Sequence, residues 1–259
     1  MITVVIVAAV AAAGAVVGVT VATRTHVPKR AGNAPPFAAD PTAPASVARD
    51  VQDALRAWPN GTVRRLRLLA AQQPRSALVR FELGLALAFG GQAADARTAW
   101  RAAERAQPDS PSAVRAEDAL HPEAPPGRPP FVPSFTRAST QAQRLIALGV
   151  RYQAALRPVS AERAFAAAAR IAPDDPEAQV AAAVGRYDKD RPARAFSRLG
   201  PLARRFPQAQ SVRFHLGLLL IYLRQFPLAR RELALAVAEG PRTPLAKRAR
   251  TLLKASRKA

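Results

Sequence analysis

The side chains best suited to proton transfer or metal ligation near neutral pH are the three histidines, His26, His121 and His215. Metal binding needs such ligands at short, regular spacings. These three lie far apart in unlike contexts, and His215 falls within a helical stretch, where it reads as a packing residue. With no cysteine in the chain, disulfides, thiolate metal sites and a cysteine nucleophile are excluded. The remaining chemistry-bearing groups are paired acids, Asp174-Asp175 and Asp188-Lys189-Asp190. Both pairs stand at turns, where carboxylates cap helices or face water more readily than they serve as general acid and base. There is no phosphate-cradling glycine loop, dinucleotide fingerprint or nucleophile elbow. The expectation is therefore no catalytic residue, no cofactor and no metal: a chain that binds rather than converts.

What the chain does carry is a period. Gly84, Ala96, Trp100 and Ala103 stand 24, 12, 8 and 5 residues before Pro108. Gly149, Ala161, Phe165 and Ala168 keep the same offsets from Pro173, and Gly217, Ala229, Leu233 and Ala236 keep them from Pro241. A weaker copy, Ala183, Ala195, Leu199 and Leu202, precedes Pro207. Pro173, Pro207 and Pro241 are spaced by 34 residues, as are Pro74 and Pro108. A fixed period of this length with two helical stretches per period predicts stacked helix-turn-helix units. The composition agrees, with 49% hydrophobic residues but only 6% aromatic ones, and much of the apolar share is alanine, the best helix former.

In chain order, residues 2–22 carry no charge and are almost wholly Val, Ile, Ala and Gly. About 20 such residues span a bilayer core, so the expectation for 1–23 is a transmembrane helix, with a cleaved signal peptide as the alternative. Arg24, His26, Lys29 and Arg30 follow, which favours a cytoplasmic C-terminal side. Residues 24–44 read as a Pro-rich linker. Residues 45–120 hold the first helical units, with a turn at Trp58-Pro59-Asn60-Gly61. The period fails at 121–139, where residues 121–133 alone hold six prolines. This stretch reads as a surface loop or a break between two halves; alternatively it is a docking segment, since Pro126–Pro129 and Pro130–Pro133 both fit PxxP. Residues 140–259 resume the units and end in a basic capping helix from Pro244 to about Ser256.

At these offsets the sequence resembles the tetratricopeptide repeat (TPR) family, with Leu83-Gly84, Trp100 and Pro108, then Leu148-Gly149, Tyr152, Phe165 and Pro173, then Leu216-Gly217 and Pro241 carrying the likeness. The resemblance covers residues 45–258 and implies an all-α solenoid of about 4–6 helix-turn-helix units, interrupted by the Pro-rich insert and preceded here by the membrane helix. It implies a non-enzymatic adaptor whose concave face, lined by the first helix of each unit, binds a protein or peptide. The face-lining positions are then Phe81, Leu85 and Phe89; Ile146 and Val150; Val184 and Tyr187; and Phe214, Leu218 and Tyr222. They form an apolar groove for a partner segment, or they pack in part against the Pro-rich insert or the last helix.

Net charge is +21, and residues 191–259 hold 16 Lys and Arg against Glu232 and Glu239. Lys247, Arg248, Arg250, Lys254, Arg257 and Lys258 make the last helix a basic patch. The leading expectation is a membrane-anchored scaffold, held to the lipid bilayer through residues 2–22, that recruits a protein partner. The alternative is a basic module at 191–259 contacting nucleic acid or anionic membrane.

Overall fold

The computed structural model describes residues 6–8, 19–21 and 33–256. Twelve helices run through them: α1 (Ala45–Leu55), α2 (Thr62–Gln72), α3 (Ala77–Phe89), α4 (Ala93–Ala106), α5 (Pro111–Leu120), α6 (Gln141–Ala154), α7 (Pro158–Ile171), α8 (Pro176–Gly185), α9 (Ala193–Arg205), α10 (Gln210–Tyr222), α11 (Phe226–Glu239) and α12 (Pro244–Ser256). They divide into two compact units, α1–α5 within residues 24–123 and α6–α12 within residues 124–259.

The transmembrane helix expected at the N-terminus is overturned. Among the described residues no helix is long and apolar enough to cross a membrane. Within 2–22 the described residues form two short antiparallel strands, β1 (Ile6–Ala8) and β2 (Val19–Val21), with Val7 opposite Thr20. The rest of that stretch lies outside the described residues. Apolarity alone suggested a helix, but Ile6, Val7, Val19 and Val21 are β-branched and favour extended backbone. The anchor over 1–23, the lipid partner through 2–22 and the single-pass placement with a cytoplasmic domain fall with it.

Helix starts follow local chemistry. Ser76 and Ser110 cap α3 and α5 by accepting the Val79 and Ala113 N–H groups. Thr140 and Gln143 form a reciprocal capping box at α6. Asp175 accepts the Glu177 N–H at the start of α8, and Pro111 and Pro176 stand at the first helical position, where no N–H is needed.

The periodic residues hold each hairpin together. A β-carbon on Gly149 would stand 2.3 Å from Phe165 Cε1, and one on Gly84 would stand 2.3 Å from Trp100 Nε1. At Gly217 the nearest atom is Leu233 Cγ at 2.7 Å. Each glycine is thus the floor on which the large residue of the second helix lies. Trp100 also donates its indole N–H to the Phe81 carbonyl at 3.3 Å. Gly149→Ala is expected to cost about 1–3 kcal/mol through overpacking, read as a lowered midpoint in chemical denaturation; an unchanged midpoint would show that Phe165 has room to move.

In the second unit the first helices α6, α8 and α10 neighbour one another as an inner layer, while α7, α9 and α11 form the outer one. α12 closes the stack against α10 and α11 through Leu245, Ala249 and Leu252. In the first unit α1, α3 and α5 form the corresponding inner layer.

Candidate peptide-binding face

On the second unit, the inner layer carries the expected residues. Ile146 and Val150 lie on α6, Val184 on α8 with Tyr187 just past its end, and Phe214, Leu218 and Tyr222 on α10. All but the half-buried Val150 are buried, and Phe131 and Val132 of the Pro-rich insert share their core. The insert therefore leaves the surface around Pro129–Val132, while Pro122, Glu123, Thr136 and Arg137 stay exposed. Phe131 is fully buried, stacked on the His215 ring at 4.5 Å and 5° and tilted against Phe165 at 5.5 Å.

The backbone of this segment is met by side chains from three different inner helices. The Phe131 N–H donates to Gln153 Oε1 of α6 at 2.8 Å. The Val132 N–H donates to His215 Nε2 of α10 at 2.9 Å. The Ser134 N–H and Oγ–H donate to the two carboxylate oxygens of Glu177, the second residue of α8. Upstream, the Arg128 guanidinium donates to the Tyr187 carbonyl at 3.0 Å, and the Arg128 carbonyl accepts from the Tyr222 hydroxyl at 3.3 Å. The segment thus runs from the C-terminal ends of α8 and α10 to the N-terminal end of α8. An extended chain against helices has no ladder to pair with, so its buried donors must be satisfied by side chains, as they are here.

His215 is fixed as one tautomer. Its Nδ1 faces the Ser211 carbonyl at 2.7 Å and must donate, which leaves Nε2 as the acceptor for Val132. Burial pushes its pKa down to about 4, so the ring stays neutral near neutral pH. Burial raises the Glu177 carboxyl, and the two bonds from Ser134 offset part of that rise.

The first unit repeats the arrangement on a smaller scale. Residues 33–44, expected as a free linker, carry no helix, yet they lie on the inner layer. The Ala38 N–H donates to Glu82 Oε1 of α3 at 2.8 Å, and Arg115 of α5 donates to the Ala38 and Ala39 carbonyls. Asp40 Oδ2 accepts the Ser112 N–H at 3.0 Å and the Ser112 hydroxyl at the start of α5. Burial raises Asp40, but the bonds from Ser112 and Thr42 outweigh it, and its pKa is held below the usual carboxylate value. Glu82 is wholly buried; burial lifts it to about 7 against the Ala38 bond and the Arg115 charge. Of the expected lining residues, Phe81 is buried with Ala77, Ala103 and Ala116, and Leu85 packs beside it. Phe89 instead meets the edge of Trp58 at 6.2 Å.

The basic patch does not converge on one point. Lys247, Arg250 and Lys254 are exposed, with Arg250 donating to the Pro241 carbonyl at 2.8 Å. Arg248 is half-buried, which lowers its pKa, and Arg257 and Lys258 lie outside the described residues. Asp174 pairs with Arg205, and Asp188 with Arg191. No group of three or more His, Cys, Asp or Glu able to hold a metal occurs among the described residues. Sequence reasoning placed the apolar side chains of the inner layer but missed Glu82, Gln153 and Glu177, the polar groups that meet the segments. One signal for them exists: Pro-Pro-Phe occurs twice, at 35–37 and 129–131.

No family model matches the chain, and no curated protein does. Among solved structures it is similar to YrrB, a TPR protein with an unusual peptide-binding site, at 14% identity over 80% of this chain and 88% of that one, with a TM-score of 0.32. It is also similar to a MamA RS-1 ArsTM double mutant, at 16% identity over 75% and 92%, with a TM-score of 0.28. At these scores the superpositions are loose, and the architecture stands on the chain's own packing: helical hairpin repeats over residues 45–256, in each of whose units an extended segment is laid along the first helices.

Proposed function

We propose that this chain is a non-catalytic scaffold that engages a protein partner by laying an extended segment of it along the inner layer α6–α8–α10. One observation carries this reading: three consecutive inner helices each supply one side-chain acceptor, Gln153, Glu177 and His215, to a backbone N–H of the segment at 131–134. Backbone capture by side chains, with one aromatic anchor in a pocket, is how an ordered surface holds an extended peptide. The chain's own insert, bound to these three side chains, supports this mode of binding.

The test uses the full chain carrying Phe131→Ala, which loosens the resident segment, and a fluorescein-labelled peptide of residues 127–135. Fluorescence anisotropy is expected to show binding in the micromolar range, corresponding to about −8 kcal/mol. Wild-type chain is expected to bind far more weakly, because its tethered segment competes at roughly millimolar effective concentration. No binding to a variant whose helical circular dichroism is intact would overturn the reading.

A further inference from the structure

The two resident segments are variants of one motif. Aligned on phenylalanine they read Pro35-Pro36-Phe37-Ala38-Ala39-Asp40 and Pro129-Pro130-Phe131-Val132-Pro133-Ser134. The first proline is buried in both. The N–H of the residue after Phe donates in both to the sixth residue of an inner helix, Glu82 of α3 or His215 of α10. The third residue after Phe pairs in both with the second residue of another inner helix, Ser112 of α5 or Glu177 of α8. Ser112 and Glu177 also hold the same place in the period, four residues after Pro108 and Pro173.

The polarity of that last pair is reversed. In the first unit the segment brings the carboxylate of Asp40 and the helix brings the N–H and hydroxyl of Ser112. In the second the segment brings the N–H and hydroxyl of Ser134 and the helix brings the carboxylate of Glu177. A carboxylate in place of Ser134 would bring Glu177 an acceptor where Ser134 brings a hydroxyl donor and, with both ionised, a like-charge contact. Specificity between near-identical ligands is often built from such a repulsive element.

Resting on the reading proposed above, we infer that the inner layer of the second unit selects partner segments of the form Pro-Pro-Phe-x-x-Ser, and that Glu177 is the residue that rejects the otherwise matching Pro-Pro-Phe-x-x-Asp. The partner is a protein with such a segment in extended form, bearing a hydroxyl donor three residues after the phenylalanine.

The experiment compares two labelled peptides of residues 127–135, one native and one with Asp at the place of Ser134, on the full chain carrying Phe131→Ala. The native peptide is expected to bind about tenfold more tightly, and adding Glu177→Gln is expected to shrink the gap to less than about threefold. Equal binding of both peptides would overturn the selectivity while leaving the peptide-holding face intact. An unchanged gap with Glu177→Gln would remove Glu177 from the role. Because Phe131→Ala weakens the fold, the same peptides are added in excess to wild-type chain and hydrogen exchange is followed at Phe131 and Val132. Faster exchange with the native peptide alone supports the inference, and no effect of either peptide in both formats overturns the face itself. Dimers that form with rising concentration and dissociate on adding native peptide would identify a second copy as the occupant and overturn a separate partner.

Discussion

Phe131→Ala is expected to destabilise the second unit by about 3–5 kcal/mol. The ring is fully buried between His215 of the inner layer and Phe165 of α7, so its removal leaves a cavity lined by side chains that are themselves buried. The other apolar anchors of the segment are smaller or only partly covered: Pro129 and Val132 are buried, Phe135 is half-buried, and Ser134 is exposed. The loss is expected in amide exchange of α6, α8 and α10, with α3 and α4 unaffected. Phe37→Ala is the natural comparison; its ring is only partly covered, and its loss is expected to be smaller. A change below about 1 kcal/mol for Phe131→Ala would mean that the insert adds nothing to this core.

Mild acid is expected to act on the two units in opposite directions. His215 has a folded pKa of about 4, below its ordinary value of 6.5. The unfolded chain takes up that proton first, so stability is present above the unfolded value and is lost as pH falls from 6.5 toward 4. A shift of this size corresponds to about 3 kcal/mol for the second unit. Protonation also removes the Nε2 lone pair that accepts the Val132 N–H. Glu82 has a folded pKa of about 7, above its ordinary 4.5. Its protonated form is favoured by folding, so stability is full below the unfolded value and is lost as pH rises from 4.5 through 7, again by about 3 kcal/mol. Between about pH 6.5 and 4.5, acid should therefore loosen α10 and the insert while tightening α3. Hydrogen exchange corrected for intrinsic rates measures both. Glu82→Gln keeps an acceptor for Ala38 and should flatten the response of the first unit; a slope there identical to wild type would remove Glu82 as its source.

The helices were legible because packing imposes a repeat. Gly84 under Trp100, Gly149 under Phe165 and Gly217 under Leu233 recur at one spacing because each hairpin solves the same close approach. The apolar residues of the inner layer were legible for the same reason, Ile146, Val184 and Phe214 falling on the correct helices. Residues 33–44 and 125–135 have no such period. Each is placed by a few single contacts to residues distant in sequence, which no local pattern encodes, so prolines that break helices looked like spacers. The stretch 2–22 failed differently: hydropathy counts apolar side chains and carries no information on backbone conformation.

The separation of those contacts sets an order of events during synthesis. Val132 precedes its acceptor His215 by 83 residues, and Arg128 precedes Tyr222 by 94. At about 5–20 residues per second, the insert leaves the ribosome roughly 5–20 s before α10 exists to receive it. Local hairpins such as α6–α7 form far faster than that. The nascent chain therefore passes through a stage with Phe131 uncovered on the side that His215 later stacks against, beside a partly built inner layer.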